Sequence, residues 1–163
     1  MSRAIYLLTV LAALGSAVVG GVMYAFSTFV MSGLDRATPG QAVAAMNGIN
    51  VTAVRAPFMI PFMGTALLSA VLVVVAVVRW GRPGQPVSWL LVAGGLLYLV
   101  GSFVLTVAYN VPRNDALALV DPSGPTAAQE WATYYREWTN ANHVRAVTSL
   151  AAAAAFVTAL VRA

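Results

Sequence analysis

Four long apolar stretches, parted by two long polar segments and one short one, set the pattern of this chain. The first runs from Ala4 to about Met31 without a charged residue. The second runs from about Phe58 to Val78, the third from Ser88 to Tyr109, and the fourth from about Ala141 to Val161. Each reaches the roughly 20 residues that a helix needs to cross a bilayer. The pattern therefore predicts an all-α integral membrane protein, a four-helix bundle occupying 1–163 as one domain. Its spans are expected at about 4–31, 58–78, 88–109 and 141–161. Arg3 ahead of an apolar run also fits a secretory leader, but a leader's apolar region is about 7 to 15 residues. This one continues to Met31, so a retained span is expected.

The long segments carry structure of their own. In the first, 32–57, "TPGQAVAAMNGINVTAVRAPF" offers Thr38 as N-cap and Pro39 at the first helical position. A short extra helix follows, until Ala56-Pro57 discourages continuation. Asn47 and Asn50 are three apart and share a face, with Arg55 near the end. Two placements satisfy that face: flat on the membrane surface, or turned into the mouth of the bundle. In the second segment, 110–140, "YNVPRNDAL" is expected to end the third helix at Pro112, leaving Asn110, Asn114 and Asp115 at its exit. "DPSGP" reads as a turn, and Thr126 as the cap of a helix from Ala127 that runs unbroken into the fourth span. Small residues four apart in the first helix (Ala13, Ala17, Gly21 and Ala12, Ser16, Gly20) and the alanines at 151–155 predict close helix packing. The same rows serve equally to join protomers in a homo-oligomer.

Composition agrees with a membrane solvent. The chain is 60% hydrophobic and 9% charged, against about a quarter charged in a soluble domain. All nine basic residues are Arg, and no basic cluster or RNA-binding motif appears, so no nucleic-acid partner is expected. Arg3, Arg79, Arg82 and Arg162 lie at one set of span ends with no acid among them. Asp35, Asp115, Asp121, Glu130 and Glu137 all lie in the two long segments. The positive-inside rule then predicts a multi-pass cell (plasma) membrane protein with both termini cytoplasmic and the long segments outside.

Candidate chemistry concentrates in "EWATYYREWTNANHVRAVTSL", residues 130–150. At 100° per residue, Trp131, Tyr134, Tyr135, Trp138, Asn142 and Arg145 fall within about 60° of one direction, while Arg136, Asn140 and His143 lie roughly 120° to 180° away. Aromatic residues also gather at membrane interfaces, yet a one-sided stripe that ends in Asn and Arg points to a pocket. Arg145 and His143 stand where a span begins and a charge calls for a partner, and Asp115 is the candidate. One His and no Cys form a poor ligand set for a transition metal, so no metal residues are assigned; a metal site shared between chains stays open. No phosphate-binding Gly loop and no GxSxG elbow occur.

"GGVMYAFSTFVMSGLDR", "AMNGINVTAVRAPF", "YNVPRNDAL" and "EWATYYREWTNANHVRAV" occur in that order. Together they resemble the anthrone-oxygenase-like family of small four-helix membrane proteins, over nearly the whole chain. Carried over by position, the resemblance picks out Asn50, Arg55, Asn110, Pro112, Asn114, Trp131, Tyr135, Trp138, Asn142 and Arg145. It implies oxidation of an anthrone to a quinone by O₂, with no cofactor beyond that co-substrate. Trp131, Tyr135 and Trp138 would stack the flat substrate, with Asn50, Arg55 and Asn110 beside them. His143 or Asp115 would take the proton, and Arg145, Asn142 and Asn114 would hold the enolate oxygen. The competing expectation is a non-enzymatic protein that binds a lipid or quinone, or a subunit of a larger membrane assembly. Both imply a small hydrophobic aromatic or lipid-like ligand.

Overall fold

A computed structural model describes residues 1–55, 57–80 and 88–163. Ala56, and the 81–87 segment with Arg82 on which the orientation argument leans, lie outside the described residues. Within them the chain forms five helices and no strand: α1 Arg3–Leu34, α2 Pro39–Arg55, α3 Met59–Val78, α4 Ser88–Ala118 and α5 Ala127–Val161. Four of these (α1, α3, α4 and α5) are long and apolar enough to cross a membrane, with mean hydropathies of 2.1, 2.4, 2.2 and 1.8. Side chains such as Leu14, Leu67, Val74 and Val157 stand exposed around the bundle, a belt that fits hydrocarbon and not water. This is a helical membrane bundle.

α1 starts at Ser2, whose Oγ accepts from the Ile5 N–H at 3.5 Å. It runs past Met31 to Leu34 through a π turn, Phe26–Val30, where the Met31 N–H reaches back to the Phe26 carbonyl. α4 corrects the expectation that Pro112 ends the third helix. Pro112 lacks an N–H and would orphan the carbonyl four residues back in an unbroken α register. Here the π turns Leu99–Val104 and Thr106–Asn110 come first, and Pro112 falls in the opening turn of the resumed α segment Val111–Ala118. That position needs no donor. Arg113 also donates to the Tyr109 carbonyl at 3.1 Å, which satisfies a group beside the disturbed ladder.

α2 forms as its sequence predicts. The side chain of Gln41 accepts from the Thr38 N–H at 3.3 Å, one arm of a capping box. Its placement is now settled: Ala42, Val43 and Met46 are buried against Met31, Leu117, Trp131, Tyr134 and Trp138. Asn47 donates to the Leu117 carbonyl at 3.3 Å, and Gly40 packs so tightly on the Pro122 carbonyl that no Cβ would fit. α2 therefore lies across the end of the bundle opposite the chain termini. The "DPSGP" turn is present, closed by the Asp121 carboxylate accepting from the Ser123 N–H at 2.9 Å. Thr126 does not cap α5 through its side chain. Its own backbone is already helical, at φ −91° and ψ −8°, so only its carbonyl serves, accepting from the Glu130 N–H at 3.0 Å.

α5 spans 35 residues, about 50 Å, and packs along α1, α4 and α2. Of the two small-residue rows in α1, Ala12, Ser16 and Gly20 are buried, whereas Ala17 and Gly21 are exposed. The rows lie about 100° apart, so only one can face α5. A Cβ on Gly20 would stand 2.8 Å from Leu150 Cδ2 and 3.2 Å from the Leu150 backbone N. Gly20→Ala is therefore expected to lower stability by about 1–3 kcal/mol, and Leu150→Ala in the same chain to recover much of it. Thermal unfolding of both variants in detergent checks this; an unaltered Gly20→Ala melting point would mean that α1 and α5 do not press together there.

Candidate functional site

Where α1, α2, α3, α4 and α5 meet, at the end opposite the termini, they enclose a cavity of about 740 Å³. Its walls are mostly apolar. Met23 and Phe26 come from α1, Met46 and Ile49 from α2, Met59, Phe62 and Met63 from α3, and Phe103 and Val107 from α4. Phe58, just before α3, adds a further ring to the lining. The rings pack against one another: Phe62 to Phe58 at 5.8 Å, Phe62 to Phe103 at 5.6 Å, and Phe26 to Trp138 at 5.7 Å between centroids. The π turn of α1 begins at Phe26, and those of α4 carry Phe103, Thr106 and Asn110. The irregular turns thus sit where the walls are shaped.

One part of the lining is polar. Arg145 of α5 is 5% exposed, and its guanidinium lies 5.6 Å from the Trp138 ring centroid. Its Nε and Nη1 are buried without a hydrogen-bond partner among the described residues. Three neighbours in the lining share this condition: Trp138 Nε1 and Asn50 Nδ2, both donors, and Asn110 Oδ1, an acceptor. Asn110 is held by its other atom, Nδ2 donating to the Trp138 carbonyl at 3.3 Å. Asn114 also borders the cavity, its Oδ1 accepting from the Tyr134 hydroxyl at 2.9 Å. A buried cation with unused N–H groups, amid further unused donors, is a receptor for oxygen atoms that carry or develop negative charge.

The structure brings together only part of the set expected from sequence. Asn50, Asn110, Asn114, Trp138 and Arg145 line the cavity. Asn142 is buried on the same stripe but is spent elsewhere, Nδ2 donating to the Met23 carbonyl at 2.7 Å and to Ser27 Oγ at 2.8 Å. Trp131 donates through Nε1 to Asp35 at 2.8 Å and stacks on Tyr134, which stacks on Trp138. With half-buried Tyr135 these rings seat α2 and do not border the cavity, so the stripe supplies one wall ring, Trp138. His143, Asp115 and Arg55 are exposed and line no part of it. Asp115 is not the partner of Arg145; the ion pair of this region is Arg113 with Glu137, at 2.8 Å, with the Arg113 guanidinium also over the Tyr109 ring.

Sequence reasoning missed Phe26, Phe58, Phe62 and Phe103. Phe58 and Phe62 are one helical turn apart, but in an apolar span that spacing marks a lipid-facing row equally well. The described residues hold no group of three or more His, Asp or Glu placed to share a metal ion.

The sequence model of the anthrone oxygenase family matches residues 55–155, more than half of the chain. The matched stretch contains α3, α4 and most of α5, and with them Asn110, Asn114, Trp138 and Arg145; Asn50 and α1 fall outside it. No curated protein and no solved structure matches the chain.

Proposed function

The chain belongs to the anthrone oxygenase family, and from that premise we propose that it oxidises a flat, anthrone-like aromatic molecule with O₂ inside this cavity. The observation that carries the reading is Arg145, a buried cation with no carboxylate beside it, set into an otherwise apolar, ring-lined chamber. Burying an unpaired charge destabilises a protein, so the guanidinium points to an anion that arrives with the ligand.

The chemistry suits those walls. An anthrone carries a CH₂ between two aromatic rings and opposite a ketone. Loss of one proton gives an anion whose charge is shared with the ketone oxygen, where Arg145, Trp138 Nε1 and Asn50 Nδ2 supply donors. The anion passes one electron to O₂, and the resulting carbon radical and superoxide combine to form a C–O bond. The peroxide takes up a proton; the second C–H proton then leaves as the O–O bond breaks, releasing water and leaving a new carbonyl. One oxygen atom ends in the quinone and the other in water, and the substrate supplies all four electrons, so no reductant is needed. The lining holds no carboxylate and no imidazole. The protein's effect in this reading is to stabilise the anion, the first proton leaving to water, and His143 and Asp115 are assigned no step. The same bare lining favours a second reading, a carrier that binds a quinone without turning it over.

Oxygen uptake by purified protein given anthrone, corrected for autoxidation and repeated with a chelator, separates the two. One O₂ consumed per anthrone, with quinone formed and no loss to the chelator, is the expected result. Tight anthraquinone binding without uptake would replace the oxygenase with the carrier.

A further inference from the structure

The cavity is closed at the end of the bundle and open at its side. α2 covers the end, with Ala42, Val43 and Met46 buried on the rings of α5 and Asn47 tied to the Leu117 carbonyl. The side is different. Val54 of α2, Met63 of α3, and Val107 and Val111 of α4 all line the cavity, yet are 64%, 48%, 53% and 40% exposed. A residue that borders a cavity and also faces outward is part of its mouth.

What lies outside the mouth follows from its surroundings. Met63 continues a row of exposed side chains down α3 that includes Ile60 and Leu67, and Val107 and Val111 continue a row on α4 that includes Val100 and Val104. These rows are spaced three and four apart, so each forms one unbroken apolar stripe on its helix. On the α2 side, Thr52 turns its hydroxyl back to the Gly48 carbonyl at 2.8 Å. Such a rim is solvated by lipid chains and not by water.

We propose that the ligand enters and leaves this cavity sideways, from the bilayer, through the mouth framed by Val54, Met63, Val107 and Val111. The proposal rests on the cavity being the ligand site. It narrows the substrate class to planar aromatics that dissolve in the hydrocarbon, and it excludes charged or glycosylated relatives that stay in water. It also gives the four rim residues a task distinct from that of the walls: the rim sets how fast a ligand crosses, and the walls set how tightly it is held.

The test uses the full chain in lipid nanodiscs and 1,8-dihydroxyanthraquinone as the probe, followed by stopped-flow quenching of Trp fluorescence. Val107→Trp and Met63→Trp, made separately, add bulk at the rim on lipid-facing positions that tolerate it. Val74→Trp, 61% exposed on α3 and outside the cavity lining, is the control. Association and dissociation are expected to slow together, by about tenfold or more, in each rim variant, with Kd within about twofold of wild type. The association rate should follow the mole fraction of probe in the bilayer and not its aqueous concentration. Rates unchanged in both rim variants, or slowed equally by Val74→Trp, overturn the lateral route while leaving the ligand site in place. Absence of binding by the wild type overturns the ligand site itself, and the route with it.

Discussion

Arg145→Met is expected to melt at a higher temperature than the wild type and to lose anthrone turnover. The two effects have one cause. The guanidinium is 5% exposed, two of its nitrogens have no partner among the described residues, and its nearest ring is Trp138 at 5.6 Å. A cation–π contact at that distance is worth about 0.5–2 kcal/mol. Each unsatisfied buried donor costs about 1–3 kcal/mol, and replacing buried charges by apolar groups of similar volume often gains 1–4 kcal/mol. The second group of terms is larger, so methionine, which is unbranched and fills an irregular space, is expected to raise stability by about 1–3 kcal/mol. Turnover should fall by about 10²–10³, the usual loss when an oxyanion's donor is removed. Thermal unfolding and O₂ uptake on one preparation read both. A lower melting temperature would mean that the guanidinium has a structural partner, and the case for a ligand anion would weaken with it.

How far the sequence reached can be seen on α5. Helical arithmetic turned Trp131, Tyr134, Trp138, Asn142 and Arg145 inward, and the structure buries all five while leaving Arg136, Asn140 and His143 outside. That reading succeeds because one uninterrupted helix is a rigid ruler: the angle between two of its side chains depends on nothing but their separation. The four spans were legible for a related reason, since bilayer thickness fixes their length. What meets the α5 stripe was not legible. Phe26, Phe62 and Phe103 arrive from three other helices, and their rotation about those axes is set by packing and by π turns with no sequence signature. Pro112 misled for the same reason: a wide turn one residue earlier removed the hydrogen bond that the proline would have broken. Asp115 was paired with Arg145 by elimination, yet electrostatic need does not place a carboxylate. It stands exposed on α4, while the neighbouring Arg113 takes Glu137.

Asn142→Leu is expected to do the reverse of Arg145→Met, though the two positions lie three apart on one face. The resemblance to the anthrone-oxygenase-like family implies that Asn142 holds the enolate oxygen; the geometry makes it a strut. Its Nδ2 donates to the Met23 carbonyl at 2.7 Å and to Ser27 Oγ at 2.8 Å, which fastens α5 to the π turn that brings Phe26 to the cavity wall. Interhelical hydrogen bonds in membranes are worth about 0.6 kcal/mol on average and up to about 1.7. Losing two, with some relief from removing the unpartnered Asn142 Oδ1, should cost about 1–2 kcal/mol of stability. The lining donors stay in place, so turnover per folded molecule should remain within about threefold, a change of less than 1 kcal/mol in barrier. A drop comparable to that of Arg145→Met, in protein that unfolds at the wild-type temperature, would restore Asn142 to the site. It would require the carboxamide to leave Met23 and swing toward the ligand, so the same variant also asks whether the π turn of α1 is a fixed wall or one that moves when the cavity fills.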